Sequence, residues 1–178
     1  VVECGVFRGR SLATLAWLLE EGGDPRRVLG FDSFEGFPAP APQDMVGGRY
    51  VDAHKKEYFA DTSIDQVRTY LTQLVLGERV TLTPGFFADS LPKVPIDAIS
   101  VLVLDCDLYE SYDTCLRCLY PLVEAGGWIV FDEYYSPGKY PGARIAVDEF
   151  FADKPESPTL AEHLLAEDDY ERWYVVKE

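Results

Sequence analysis

Basic residues are in short supply. Sixteen Lys and Arg stand against 31 Asp and Glu, a formal net charge of −15. So acidic a chain repels phosphate backbones and anionic headgroups, which argues against nucleic acid or a membrane surface as partner. Histidine is scarcer still: His54 and His163 are the only two. Neither forms a cluster with the C-x-x-C pair Cys115 and Cys118, and no second pair follows to complete a zinc site, which leaves metal or redox use of these thiols as the lesser reading. With Cys4 and Cys106, these thiols are expected to be reduced and buried, Cys115 and Cys118 sharing one helix face. No apolar run nears the roughly 20 residues that span a bilayer, and nothing resembles a signal peptide. A cytoplasmic location is the expectation. Internal repeats, linkers and low-complexity tracts are also lacking, so residues 1–178 are expected to form one domain with a proper core. The opening "VVECG" already reads as a strand; either the native start lies upstream or the domain has no N-terminal preamble.

What is present is an alternation of strand and helix signals. Val1–Cys4, "RVLGFD" (27–32), "RVTLTPG" (79–85), "AISVLVLD" (98–105) and "WIVFDE" (128–133) read as buried strands. Helices are expected from Ser11 with Leu12, Leu15, Leu18 and Leu19 as an apolar stripe, from a Ser63 cap through Leu76, from about Ser111 to Glu124, and over 142–151. Gly126 and Gly127 are expected to end the third of these. The tail suggests two last strands near 159–165 and 171–177, paired as a hairpin. Aliphatic strands separated by helices indicate an α/β fold with a parallel sheet covered on both faces. Ligands of such sheets bind outside the C-terminal strand ends, where the strand order reverses.

The strand ends carry the chemistry. After the first strand comes "ECGVFRGRS", an E-x-G-x-x-x-G pattern whose glycines permit close backbone approach. Glu3 there suits a cationic group of a ligand or serves to fix the loop. Asp32 ends the second strand, where a carboxylate can accept ribose hydroxyls or act as a turn residue. Asp89 and Ser90 follow the third strand, capping a helix or lining the same crevice. Asp105 ends the fourth, and Asp132 with Glu133 ends the fifth. Neighbouring strands lie ~4.8 Å apart, so these three carboxylates converge if the strands adjoin. All-oxygen ligation favours a hard divalent ion, magnesium first; a water-filled acidic cleft is the other reading.

Taken in order, "VVECGVFRGRSLA", "GFDSFEGFP", "PGFFADSLP", "LDCDLYESYDTCLRCLYP", "GGWIVFDEY" and "YPGARIAVDEFF" resemble the macrocin-type O-methyltransferases, which modify sugar hydroxyls of macrolide and aminocoumarin antibiotics. The resemblance runs from Val1 to about Phe151. It implies a Rossmann-like, seven-stranded class I methyltransferase sheet, mostly parallel, with S-adenosylmethionine as methyl donor and a Mg2+ ion. By position it places Glu3, Gly5 and Val6 at the methionine end of the donor with Ser11 nearby. Asp32 falls on the ribose, and Ser33, Asp89 and Ser90 complete the cofactor wall. Asp105, Asp132 and Glu133 fall on the metal-binding carboxylates, Asp105 also touching the cofactor side. Glu133 departs from the Asp or Asn usual in the family. Asp107 would support the site or contact substrate. His54, in the loop after the second strand, is the candidate general base.

The expected partner is a small hydroxylated molecule, with a homo-oligomer left open. Rival readings are a catechol-like diol acceptor, a non-catalytic cofactor-binding module, and a nicotinamide oxidoreductase. The last fits poorly, because the glycine pattern lacks the middle residue of a dinucleotide fingerprint.

Overall fold

A computed structural model describes residues 1–50, 55, 57–135, 138–162 and 171–178. Seven strands form one sheet: β1 (Val2–Cys4), β2 (Val28–Asp32), β3 (Val80–Pro84), β4 (Ile99–Leu104), β5 (Val123–Phe131), β6 (Thr159–Leu160) and β7 (Trp173–Val176). Their order is β3-β2-β1-β4-β5-β7-β6. The first five strands are parallel, whereas β7 runs antiparallel to both β5 and β6. The expected terminal hairpin is thus present, with its second strand inserted beside β5.

Helices cover both faces. Helix α1 (Arg10–Glu21) and α2 (Ile64–Gln73) pack Leu12, Ala16, Val67 and Leu71 against Val28 and Val80. The other face is larger: Phe31, Leu102, Leu104, Ile129 and Phe131 meet α4 (Tyr109–Leu119) and α5 (Pro141–Phe151) through Tyr112, Leu116, Ala146 and Val147. A short helix, α3 (Phe87–Ser90), follows β3. Ser63 caps α2 as expected, its Oγ accepting from Gln66 N at 3.3 Å.

Two boundaries differ from the sequence expectation. Helix α4 ends at Leu119, not near Glu124, because Pro121 lacks a donor N–H and turns residues Tyr120–Leu122 into a 3-10 turn. Strand β5 then begins at Val123 and runs through Gly126 and Gly127. The glycines therefore sit inside a strand, next to a register irregularity between Ile99 and Val101 of β4. The thiols also divide: Cys4, Cys106 and Cys115 are buried, but Cys118 is exposed. An i, i+3 pair spans enough of the helix circumference for one thiol to face the core and the other solvent.

Candidate active site

The strand order reverses between β1 and β4, and both strands end at the same rim. Gly5 follows β1 with φ 95°, and a Cβ there would stand 1.7 Å from the Asp105 carbonyl oxygen. Only a residue without a side chain lets the β1 turn press this tightly on the end of β4. The turn is held from the other side by Asp32. Its Oδ2 accepts from Val6 N and Phe7 N, both at 2.8 Å, and its Oδ1 accepts from Phe34 N at 2.7 Å. Asp32 thus ties the ends of β1 and β2 together while also lining the cleft that opens there.

The cleft encloses about 200 Å³. Gly5, Asp32, Ser33 and Asp105 line it. Ser33 Oγ is engaged by the loop, donating to Gly36 O at 2.8 Å and accepting from Glu35 N at 3.0 Å. The third strand contributes Phe86, Phe87 and Ala88. Asp89 is exposed and outside the lining, and Ser90 is buried behind it with its Oγ donating to Gly85 O at 3.2 Å. Helix α3 starts at Phe87, and Phe86 with its first two residues, Phe87 and Ala88, borders the cleft. Ser11 is exposed on α1, and Val6 is buried in the core beside α1.

Glu3 is fully buried on β1, and among the described residues neither carboxylate oxygen has a hydrogen-bond partner. Burial pushes its pKa up to about 7, the Asp32 and Asp132 charges adding to the shift and the nearby Ser11 hydroxyl opposing it.

Beside the cleft, Asp105, Asp107 and Glu133 each place a carboxylate oxygen within 4.8 Å of the others. Asp107, not Asp132, completes this trio. Asp107 follows the strand in a tight turn: its φ is 62°, and Leu108 N donates to Cys106 O at 2.6 Å across it. That three-residue turn is a rare, strained geometry, which swings the Asp107 carboxylate back toward Asp105. Asp132 stays close, its N donating to Leu104 O at 3.0 Å, and its charge raises the pKa of Asp105 and Glu133.

Burial and mutual repulsion push Asp105 and Glu133 well above the usual carboxylate range. Burial likewise drives Asp107 up to about 7, opposed by the nearby Tyr140 hydroxyl and the Lys139 charge. The Tyr112 hydroxyl lies 2.8 Å from Leu104 O and 3.0 Å from Glu133 Oε2. The phenol donates toward both in a three-centre arrangement and accepts from Glu133 N at 3.3 Å. The site holds more carboxylate than it can ionise unaided, so it takes up protons or a cation. Its donors are all oxygen, which fits a hard divalent ion. His54 lies outside the described residues, as does His163.

An aromatic wall closes the cleft. Phe59 meets Phe7 and Phe37 edge-on at 4.9 and 5.3 Å, and Phe37 meets Tyr140 at 6.3 Å. Among the described residues no helix is long and apolar enough to cross a membrane.

Comparison with known proteins agrees with this architecture. The family model described as macrocin-O-methyltransferase (TylF) matches residues 1–162. Demethyldecarbamoylnovobiocin O-methyltransferase of Streptomyces niveus is 36% identical over 154 residues, 85% of this chain and 58% of the relative. Mycinamicin III 3''-O-methyltransferase of Micromonospora griseorubida is 30% identical over 154 residues, 84% of this chain and 59% of the relative. The chain therefore spans little more than half the length of these curated relatives. The solved O-methyltransferase NovP superposes with a TM-score of 0.82 at 32% identity, covering 99% of this chain and 71% of that one. With seven strands in class I order and a family match over nearly its whole length, the chain belongs to the macrocin-O-methyltransferase family.

Proposed function

We propose that the chain is an S-adenosylmethionine-dependent O-methyltransferase that methylates a sugar hydroxyl of a natural product with the help of a divalent cation, magnesium first. The observation that carries the reading is the meeting of Asp105, Asp107 and Glu133 within 4.8 Å beside the Gly5 turn. The named relatives are a demethyldecarbamoylnovobiocin O-methyltransferase and a mycinamicin III 3''-O-methyltransferase, and the sugar acceptor is proposed on membership of their family.

In this reading the Gly5–Val6 backbone, Glu3 and Ser11 face the methionine end of the donor. Asp32 and Ser33 face its ribose, and Phe86, Phe87 and Ala88 supply the apolar wall of the cleft. Asp32 already accepts three backbone N–H groups, which fixes its carboxylate rigidly before any ligand arrives. Asp105, Asp107 and Glu133 would hold the cation, with Asp132 adding charge at its border. When bound, the sulfonium supplies an already activated methyl group and the cation lowers the pKa of the acceptor hydroxyl. The residues of the chain then contribute placement. The aromatic wall of Phe37, Phe59 and Tyr140 excludes water and offers flat faces to a sugar ring. The proton leaving the acceptor hydroxyl is assigned to His54.

Isothermal titration with S-adenosylhomocysteine and with NAD tests the donor assignment. The homocysteine product is expected to bind and NAD to show no heat; NAD binding alone would overturn the reading. Turnover with radiolabelled donor and a panel of sugar-bearing acceptors is expected to stop on adding a chelator.

A further inference from the structure

Asp44 belongs to none of the motifs above, yet its side chain is fully buried. It ends a 3-10 turn (Pro42–Asp44) in the loop after β2. Its Oδ2 accepts from Ala41 N at 2.8 Å, and its Oδ1 accepts from Tyr109 N at 2.9 Å. Tyr109 is the first residue of α4, whose N-cap position, Leu108, has no side chain able to satisfy that donor. Helix α5 also begins here without a side-chain cap: a Cβ on Gly142, in its first turn, would stand 1.9 Å from Asp44 Oδ1. One carboxylate thus sits where two helix N-termini converge, and their dipoles favour its charge.

Two residues before Tyr109 comes the strained turn that carries Asp107. Such a turn persists only where its surroundings over-determine it. Its upstream end is fixed by Asp105 N donating to Cys4 O at 2.9 Å. Downstream, the anchor provided by another loop is Asp44. That loop also carries Phe37, whose ring packs against Phe59 and Tyr140.

We infer that Asp44 is a positioning residue for the cation site, capping α4 from a distant loop so that the Asp107 turn keeps its carboxylate beside Asp105 and Glu133. The inference rests on the reading of that trio as a cation site. It also explains why a carboxylate is needed. Two N–H donors point at two oxygens, and an asparagine would turn an NH2 toward one of them. The Gly142 approach leaves no room for the longer arm of glutamate.

The test uses Mn2+, followed by electron paramagnetic resonance, and S-adenosylhomocysteine, followed by calorimetry, on the full chain. In Asp44→Asn, Mn2+ affinity is expected to fall at least tenfold while S-adenosylhomocysteine affinity stays within twofold of the parent. A general loss of structure would weaken both. Ala41→Pro removes the Ala41 N–H at a residue whose φ of −83° is close to that of proline, and it leaves every charge in place. It is expected to weaken Mn2+ binding about threefold or more, and it decides the matter should Asp44→Asn not fold. Parental Mn2+ affinity in the folded variants would overturn the role of Asp44 and leave the cation site standing. Failure of the parent protein to bind Mn2+ at all would remove the cation reading itself.

Discussion

Gly5 and the Asp105 carbonyl lie so close that even one methyl group at position 5 would overlap the oxygen, at 1.7 Å. The contact joins the turn after β1 to the end of β4, so strain at one is felt at the other. Gly5→Ala combines that clash with a φ of 95°, a region alanine rarely enters. It is expected to destabilise the fold by roughly 2–4 kcal/mol and to abolish S-adenosylhomocysteine binding. Urea denaturation and calorimetry check both.

Asp32 is expected to act on ligand binding mainly through the backbone it holds. Asp32→Ala frees three N–H groups, of Val6, Phe7 and Phe34. Losing charge-assisted bonds of this kind costs roughly 1.5–3 kcal/mol each when they act independently. A drop in donor affinity of at least 100-fold and a lower melting temperature are expected. Asp32→Asn, which keeps one acceptor oxygen, should fall between the two.

In the proposed reading the carboxylate trio trades stability for cation binding. Asp105→Asn removes the cost of burying and protonating one carboxyl of a crowded set and is expected to stabilise the metal-free protein by about 1–2 kcal/mol. The same change should cost Mn2+ affinity 100-fold or more. Denaturant melts run with chelator and with excess Mn2+ separate the effects: the variant should be the more stable without metal and gain little from it.

Glu3 gives a pH signature with a definite sign. Its pKa rises from about 4.5 to about 7 on folding, so between those values the folded chain holds a proton that the unfolded chain has released. Stability contributed by this group therefore falls as pH rises through that window and levels off above about 7, by up to about 3 kcal/mol. Asp107 titrates in the same window, so the informative quantity is the difference between parent and Glu3→Gln. That difference should change between pH 4.5 and 7 in favour of the variant; a flat difference would show Glu3 to be ionised throughout.

Much of the fold was legible because burial on both sheet faces leaves a plain mark: "SVLVLD" and "WIVF" admit little besides buried parallel strands. The strand-end carboxylates were legible for the same reason, since Asp105 and Asp132 interrupt those runs abruptly. Periodicity failed where local geometry overrode it. The sequence marks Asp107 as support for the site or a substrate contact but gives no hint of the φ 62° turn that brings it into the trio in place of Asp132. Asp89 looked like a cleft residue, yet Phe86–Ala88, at the start of α3, border the cleft instead. Asp44 was invisible, because its role depends on a contact with Tyr109 across 65 positions of sequence.

The most direct test is a crystal structure of the chain with S-adenosylhomocysteine and Mn2+, using anomalous scattering at the manganese edge. The account predicts one strong anomalous peak within coordination distance of Asp105 and Asp107, with the nucleoside in the cleft between Asp32 and Phe87. A peak remote from those carboxylates, or the nucleoside bound away from the Gly5 turn, would contradict it.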